Sequence, residues 1–413
     1  MYYHKIHYLL VCSIFCLFLL PLQTLGQTKL LTEDELLEAK VYTTLKEALQ
    51  NPDSVFKFKL RNRLLEKVPE ELFQFKNIQS LELEVNHFRQ FPVGVLRFKK
   101  LQVLRLGKNY FRNVPEEIAQ LKHLRVLDLQ WNYLTTLPEN LAKLKKLKEL
   151  NIKWNAFEVF PEIVTKLSSL EKLTMHFNKL KRIPASIGKL SKLQYLEMSG
   201  NELIGLPNSI GNLKELLSLD VSDNHFISLP QEVGTLSNLE ILDLGNNQIT
   251  RLNSKRIQML VAAKKLNKIW VLPDNLHSLK QLKTLDLVGN QLTKLPSEVS
   301  KIKSLTTLDL SANENLDLKM VCSQLKQLPR LGIVGLRYCK LTALPPELGE
   351  LTQLQGLDLY ENQLTQLPKE MGNLKRLQVL ILIKNAFTKS TQKKIREMMK
   401  HSEVIFGEYE GRN

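Results

Sequence analysis

Asparagine recurs every 23 residues along much of this chain, at Asn86, Asn109, Asn132, Asn155, Asn178, Asn201, Asn224 and Asn247. Around Asn132 the surrounding pattern is complete: Leu124, Leu127, Leu129, Asn132, Leu134, Leu137, Pro138, Leu141, Leu144. Leu127-Asp128-Leu129 alternates with the period of a short half-buried strand, whereas Leu134, Leu137, Leu141 and Leu144 are spaced three or four apart, as in a helical return. One such turn cannot bury its own leucines. It needs a copy of itself on each side, so the chain must stack in one dimension, and its length does not imply several globular domains.

The copies continue at Asn267, Asn290, Asn313, Cys339, Asn362 and Asn385, with steps of 20, 23, 23, 26, 23 and 23. Pro69 lies 23 residues before Pro92, which places Arg63 at the asparagine position of a degenerate first unit and makes 15 units. A period in the twenties with this leucine spacing marks a repeat architecture. The expected fold is an α/β solenoid with a concave parallel β-sheet. Strand leucines point into the core, and strands about 5 Å apart give an inner surface of roughly 70 Å along the arc. The asparagine side chain carries donors and an acceptor. Turned inward, it satisfies backbone groups of the bending loop in its own and the next unit. Pro138 fixes φ where no amide is needed.

The ends and one interior stretch depart from the repeat. Residues 1–26 carry a single charge, Lys5, followed by an apolar stretch from Leu9 to Leu20 and by Pro21. That stretch is short for a bilayer and matches a signal peptide with small residues at Thr24 and Gly26; the alternative is a retained N-terminal membrane anchor. Residues 27–52 read as a helical N-terminal cap, with Thr32/Glu35 and Thr44/Glu47 as capping boxes and Leu37, Val41, Leu45 and Leu49 as an apolar stripe. The solenoid spans 53–387. Unit 248–270 is irregular: Leu252 is followed by Asn253 rather than proline, and Ser254 to Leu266 has no strand pattern. A decayed repeat and a protruding functional element are the two readings. The 26-residue step around Leu316 to Leu331 is a smaller irregularity. Residues 388–413 form a C-terminal cap and tail.

The net charge is +16. Lysines recur just before the strands, as at Lys99, Lys122, Lys145, Lys214 and Lys303, and stacking places them along one rim. Such a rim attracts an anionic surface, a membrane included, or serves solubility; it has no interleaved aromatics of the kind that stack nucleic-acid bases, which argues against nucleic acid. Past the signal segment only Cys322 and Cys339 remain. Cys339 takes an asparagine position and Cys322 an apolar one, so two buried free thiols are expected. No N-x-[ST] sequon occurs, which favours a bacterial exported protein.

The run Ile183-Pro184-Ala185-Ser186-Ile187-Gly188-Lys189-Leu190 resembles the end of the 23-residue unit in leucine-rich-repeat proteins of the LPxxIxxL type. The resemblance covers residues 53–406, and the exported form without cysteine caps is similar to the bacterial members. It implies a leucine-rich-repeat horseshoe whose concave sheet binds other macromolecules. It does not imply a partner's identity, because one fold hosts many functions.

Chemistry-bearing motifs are sparse. There is no HExxH, GxSxG, phosphate-binding glycine loop or Cys-x-x-Cys. Asp128, Asp220, Asp243, Asp286, Asp309 and Asp358 share the position between strand leucines and form an acidic row. A hard cation needs several converging oxygens, so no metal and no cofactor is expected. The favoured function is a non-enzymatic scaffold that binds a protein or a surface glycan; the alternative is an accessory or inhibitor domain acting on an enzyme.

The residue before each ladder asparagine is small or polar in most units, as at Gly200, Asp223, Asn246, Gly289 and Ala312, but is Trp131, Trp154 and Phe177 in three successive units. Stacked units bring these rings side by side. Lys153 and His176 sit one residue earlier in two of those units, and Arg105, Lys108, Asn151, Lys172 and Tyr195 fall on neighbouring exposed positions. Aromatics flanked by cations are what a protein hot spot or a sugar-stacking platform needs. Arg337, Tyr338 and Tyr360 form a secondary candidate.

Overall fold

The structure, a computed structural model, describes residues 29–226, 228–247 and 272–407. The signal segment 1–26, the irregular unit 248–270 with Asn267, and the tail from residue 408 lie outside them. The chain divides into two compact units, Met1–Ala39 and Lys40–Asn413.

In the first unit, helix α1 (Glu33–Glu38) starts at a full capping box. The Thr32 hydroxyl accepts from the Glu35 amide at 3.2 Å, and the Glu35 carboxylate accepts from the Thr32 amide at 2.8 Å. The sequence predicts one helix across residues 31–50; the structure has two. Ala39 is extended and ends the first unit; the second unit opens with strand β1 (Val41–Tyr42) and a second helix, α2 (Leu45–Ala48), which begins at Thr44. The second capping residue explains the break. A cap residue needs non-helical backbone, and Thr44 has it (φ −132°), so one helix cannot run through it. Of the predicted stripe only Leu45 packs against the core: Leu37, Val41 and Leu49 are exposed, while Leu36, Tyr42 and Ala48 are buried.

The second unit is an α/β solenoid. Sixteen strands form one parallel sheet in which every strand pairs with its sequence neighbours. Strands β5 (Val126–Asp128), β6 (Glu149–Asn151), β7 (Lys172–Thr174) and β8 (Tyr195–Glu197) pair in strict register, Leu127 with Leu150, Leu150 with Leu173, Leu173 with Leu196. Each of these four strands buries its central leucine and a second apolar residue just past its end. The LPxxL run then forms a 3₁₀ turn. Pro138 leads into Glu139–Lys143, the Leu141 amide donates to the Pro138 carbonyl at 3.1 Å, and Leu141 is buried. One continuous apolar core runs through the described part of this unit, from Tyr42 to Met399.

The asparagines form the expected ladder, but they reach back rather than forward. Asn201 donates from Nδ2 to the carbonyls of Met198 in its own unit (2.9 Å) and Met175 in the preceding one (3.0 Å), and its Oδ1 accepts from the Leu180 amide (3.1 Å). Burial of the amide is tolerated because both of its ends are satisfied. Cys339 holds a ladder position with weaker bonds, 3.3 Å to the Arg337 carbonyl and 3.6 Å to that of Leu310. Cys322 and Cys339 are free and buried, and burial pushes their thiols up to about 12 and about 11.

β10 (Ile241–Asp243) pairs directly with β11 (Thr284–Asp286), Leu242 opposite Leu285. Asn290 donates to the Leu244 carbonyl at 2.9 Å, so it takes the rung after Asn247. Asn267 lies outside the described residues. Among the described residues the sheet has 14 repeat strands, with β1 and β16 (Glu403–Ile405) at its two ends. The 26-residue step has a plain cause: helix α3 (Leu318–Leu325), capped by Asp317, replaces the 3₁₀ turn and buries Cys322. A last helix, α4 (Lys389–Met398), buries Ile395 before β16. Among the described residues no helix is long and apolar enough to cross a membrane.

Candidate partner-binding site

The residue preceding each ladder asparagine adopts left-handed backbone: φ is 54° at Trp131, 54° at Trp154, 52° at Phe177 and 67° at Gly200. That conformation turns the chain out of the strand into the loop, and it favours glycine and asparagine. This explains Gly200, Asp223, Asn246 and Gly289, and it makes the three large rings locally disfavoured. Hydrogen bonds between rungs hold them in place: the amides of Trp131, Trp154 and Phe177 donate to the carbonyls of Lys153, His176 and Ser199 at 2.9, 2.8 and 2.8 Å.

The rings stack. Trp131 and Trp154 lie 4.3 Å apart at 14°, and Trp154 and Phe177 lie 4.1 Å apart at 20°. The stack is closed at both ends. The Lys108 ammonium lies over the Trp131 ring at 5.5 Å. Beyond Phe177 stands Gly200, where a Cβ would come within 2.5 Å of the phenyl ring. Ring faces are thus spent on one another, and it is ring edges that meet solvent, leaving the three side chains 42%, 38% and 41% exposed. A sugar stacks on a ring face, so this conformation offers it no platform.

The flanking residues divide. Lys108 and Tyr195 are exposed, with the Lys172 ammonium 5.6 Å from the Tyr195 ring. Arg105 pairs with Asp128 at 3.8 Å, and Asn151 donates to the same carboxylate at 3.2 Å. Lys172 pairs with Glu197 at 2.7 Å. His176 accepts the Ser199 amide on Nδ1 at 3.0 Å and places Nε2 3.5 Å from Glu197. Burial pushes the Glu197 carboxyl up, but bonds from His176, Lys172 and Thr174 outweigh it and hold it down at about 2. Lys153 is half-buried, with its amide donating to Asn151. Arg105, Asn151, Lys172 and His176 are each tied to a neighbouring rung. At the secondary candidate, Arg337 pairs with Asp358 at 2.6 Å, Tyr338 and Tyr360 meet edge to face at 5.4 Å, and Lys384 lies over Tyr360 at 5.2 Å.

The acidic row has a backbone role. In each of these units the aspartate Oδ1 accepts the amide two residues on: Asp220 from Ser222 at 3.0 Å, Asp243 from Gly245 at 2.9 Å, Asp286 from Val288 at 2.8 Å, Asp309 from Ser311 at 2.9 Å. Register places these four carboxylates on neighbouring strands. Burial, then the facing Asp286, pushes Asp243 up to about 7, and burial with Asp309 and Asp220 pushes Asp286 up to about 6. Among the described residues no group of three His, Cys, Asp or Glu side chains is placed to hold a metal. Rim lysines also have work in the fold: Lys214 donates to the Thr235 carbonyl at 3.1 Å and Lys303 to that of Gln327 at 2.8 Å, each one unit on.

Sequence reading missed a second aromatic row. His87, Tyr110 and Tyr133 each follow a ladder asparagine, 23 residues apart. His87 meets Tyr110 at 5.7 Å, and Tyr110 lies 6.3 Å from Tyr133. Between this row and Val85, Lys108, Trp131 and Trp154 runs a cleft of about 560 Å³, floored by the ladder asparagines. The signal is in the sequence: the 23-residue period aligns the column after the asparagine just as it aligns the column before it.

A parallel sheet of 23-residue rungs closed by an inward asparagine ladder defines a leucine-rich-repeat solenoid of the horseshoe type. Models of the leucine-rich repeat region match residues 101–183 and 178–272, and a model of two leucine-rich repeats matches 280–327. A leucine-rich-repeat protein of Leptospira interrogans is 33% identical over 89% of this chain and 100% of its own, with a TM-score of 0.60. The chain belongs to the leucine-rich-repeat family. The ectodomain of the plant receptor kinase GASSHO1/SCHENGEN3 from Arabidopsis thaliana, solved with Casparian strip integrity factor 2, is 25% identical over 86% of this chain and 44% of its own (TM-score 0.54). An internalin of Listeria monocytogenes, 18% identical over 89% of this chain and 94% of its own (TM-score 0.56), shares the fold. No curated protein matches the sequence. The fold is commonly a protein-binding scaffold and typically not enzymatic.

Proposed function

We propose that this protein is an exported, non-enzymatic bacterial scaffold that recognises a protein partner beside its sheet, with Trp131, Trp154 and Phe177 at the centre of the contact. The observation that carries this reading is the exposed three-ring stack at left-handed positions where the fold alone favours glycine or asparagine. Trp and Tyr dominate protein hot spots. The closed ring faces support a protein over a glycan. Residues 1–26 serve as the signal peptide, and 27–52 and 388–413 as terminal caps. The likeness to the Leptospira protein supports a bacterial origin.

The test is capture of a partner from the native envelope fraction, followed by its affinity for the Trp131→Ala/Trp154→Ala variant. The expected loss is about 2 kcal/mol or more, with a small change in melting temperature. A large drop in melting temperature with unchanged affinity per folded molecule would place the site elsewhere.

A further inference from the structure

The row His87–Tyr110–Tyr133 is a ridge between two clefts. On one side lies the aromatic cleft beside Trp131 and Trp154. On the other lies a cleft of about 500 Å³ that adds Glu66, Arg89 and Arg112 to the same three rings. Arg89 and Arg112 occupy the same position in successive units, so their guanidinium groups rise from adjacent rungs. Arg97, Arg105 and Arg337 each pair with a carboxylate. Arg89 and Arg112 are exposed, and among the described residues neither forms an ion pair. Glu66, at the N-terminal end, bounds the cationic stretch.

From this geometry we infer that the ridge and its two clefts bind an extended acidic segment of a protein partner. Its carboxylates meet Arg89 and Arg112, and its apolar side chains enter the cleft between the tyrosine row and the tryptophan stack. Guanidinium forks match carboxylates in two parallel hydrogen bonds. The four rungs from Val85 to Trp154 extend about 14 Å at 4.8 Å each, which is the length of about five extended residues. The composition of the surface, Trp, Tyr and Arg, is that of a protein hot spot. A sugar or a nucleic-acid base needs an open ring face. The Trp131–Trp154–Phe177 stack has none between Lys108 and Gly200. The inference deepens the proposed function by naming the chemistry of the partner.

The test is selection of a displayed random seven-residue peptide library on the whole secreted chain. Selected peptides should carry two or more Asp or Glu alternating with apolar residues. A selected peptide, made synthetically, should bind the Arg89→Glu/Arg112→Glu variant at least tenfold more weakly. The rim variant Lys145→Glu/Lys146→Glu, equal in net charge, should bind as the parent does. Circular dichroism of all variants should superimpose, since the changed side chains are exposed. Peptides without acidic bias, or equal loss in the rim variant, would overturn the inference. So would binding of sulfated or uronate oligosaccharides, lost in Arg89→Glu/Arg112→Glu, where no peptide is selected. The proposed function fails separately: Trp131→Ala/Trp154→Ala then leaves binding of the captured partner intact.

Discussion

Asp243 is the carboxylate that the sheet holds least comfortably, and replacing it by asparagine should stabilise the protein at neutral pH. Its Oδ1 accepts the Gly245 amide at 2.9 Å, a bond that an asparagine oxygen can also accept. The chain already contains the control. Asn151 holds the equivalent position and accepts the Lys153 amide at 3.3 Å. What the substituted side chain would lack is the charge. Burial and the Asp286 carboxylate push Asp243 from 3.8 to about 7. In the unfolded chain an aspartate releases its proton near pH 3.9. Between about pH 4 and 7 the folded state therefore binds the extra proton, and stability falls as pH rises through that window. At about 1.36 kcal/mol per pH unit between the two values, the upper bound is about 4 kcal/mol. Solvent at the open face of the sheet screens the repulsion, so about 1–2 kcal/mol is expected. The assay is the urea midpoint of parent and Asp243→Asn at pH 4 and pH 8. The variant should match the parent at pH 4 and exceed it at pH 8. A variant less stable at pH 8, or a difference independent of pH, would refute the reasoning.

Three further outcomes follow from the same structure. Asn201→Ala removes bonds to Met175 and Met198 in two rungs and strands the buried Leu180 amide; a loss of about 2–4 kcal/mol in urea unfolding is expected. Protein lacking residues 1–26 should show no thiol reactive to Ellman's reagent when folded and two when unfolded, because Cys322 and Cys339 are buried with raised pKa values. Deleting residues 250–269, a block of 20, restores a 23-residue step between Asn247 and Asn290 and sets Leu272-Pro273 where the repeat needs them. Because β10 and β11 already pair, that variant should unfold cooperatively, and more stably than a deletion of 248–270, which leaves the rung three residues short.

Positions that act within one unit were legible in the sequence. A strand leucine, a ladder asparagine and the LPxxL turn each follow from side-chain chemistry and a local period, and each lies where that period puts it. The direct pairing of β10 with β11 is not a question of local pattern. Whether a stretch becomes a rung depends on whether its flanks pair without it, and Leu242 meeting Leu285 is a contact between residues far apart in sequence. The N-terminal stretch failed for a different reason. Two capping signals 12 residues apart, Thr32 and Thr44, were read as supporting one helix, although the second can only begin a new one.

The site was legible as a column and not as a surface. Trp131, Trp154 and Phe177 come together because the period is 23 and rungs lie about 5 Å apart, both of which the sequence supplies. Which way the rings face is set by the left-handed backbone at that position and by the glycine beyond Phe177. Those two features turn a platform for stacking into a row of edges. The cations were harder still to place. Arg105, Lys172 and His176 looked free because a column of single residues does not show its neighbour, whereas Asp128 and Glu197 stand one rung on, within ion-pair reach of them. The same test finds no such carboxylate for Arg89 and Arg112: Arg112 itself stands one rung on from Arg89, and Thr135 one rung on from Arg112.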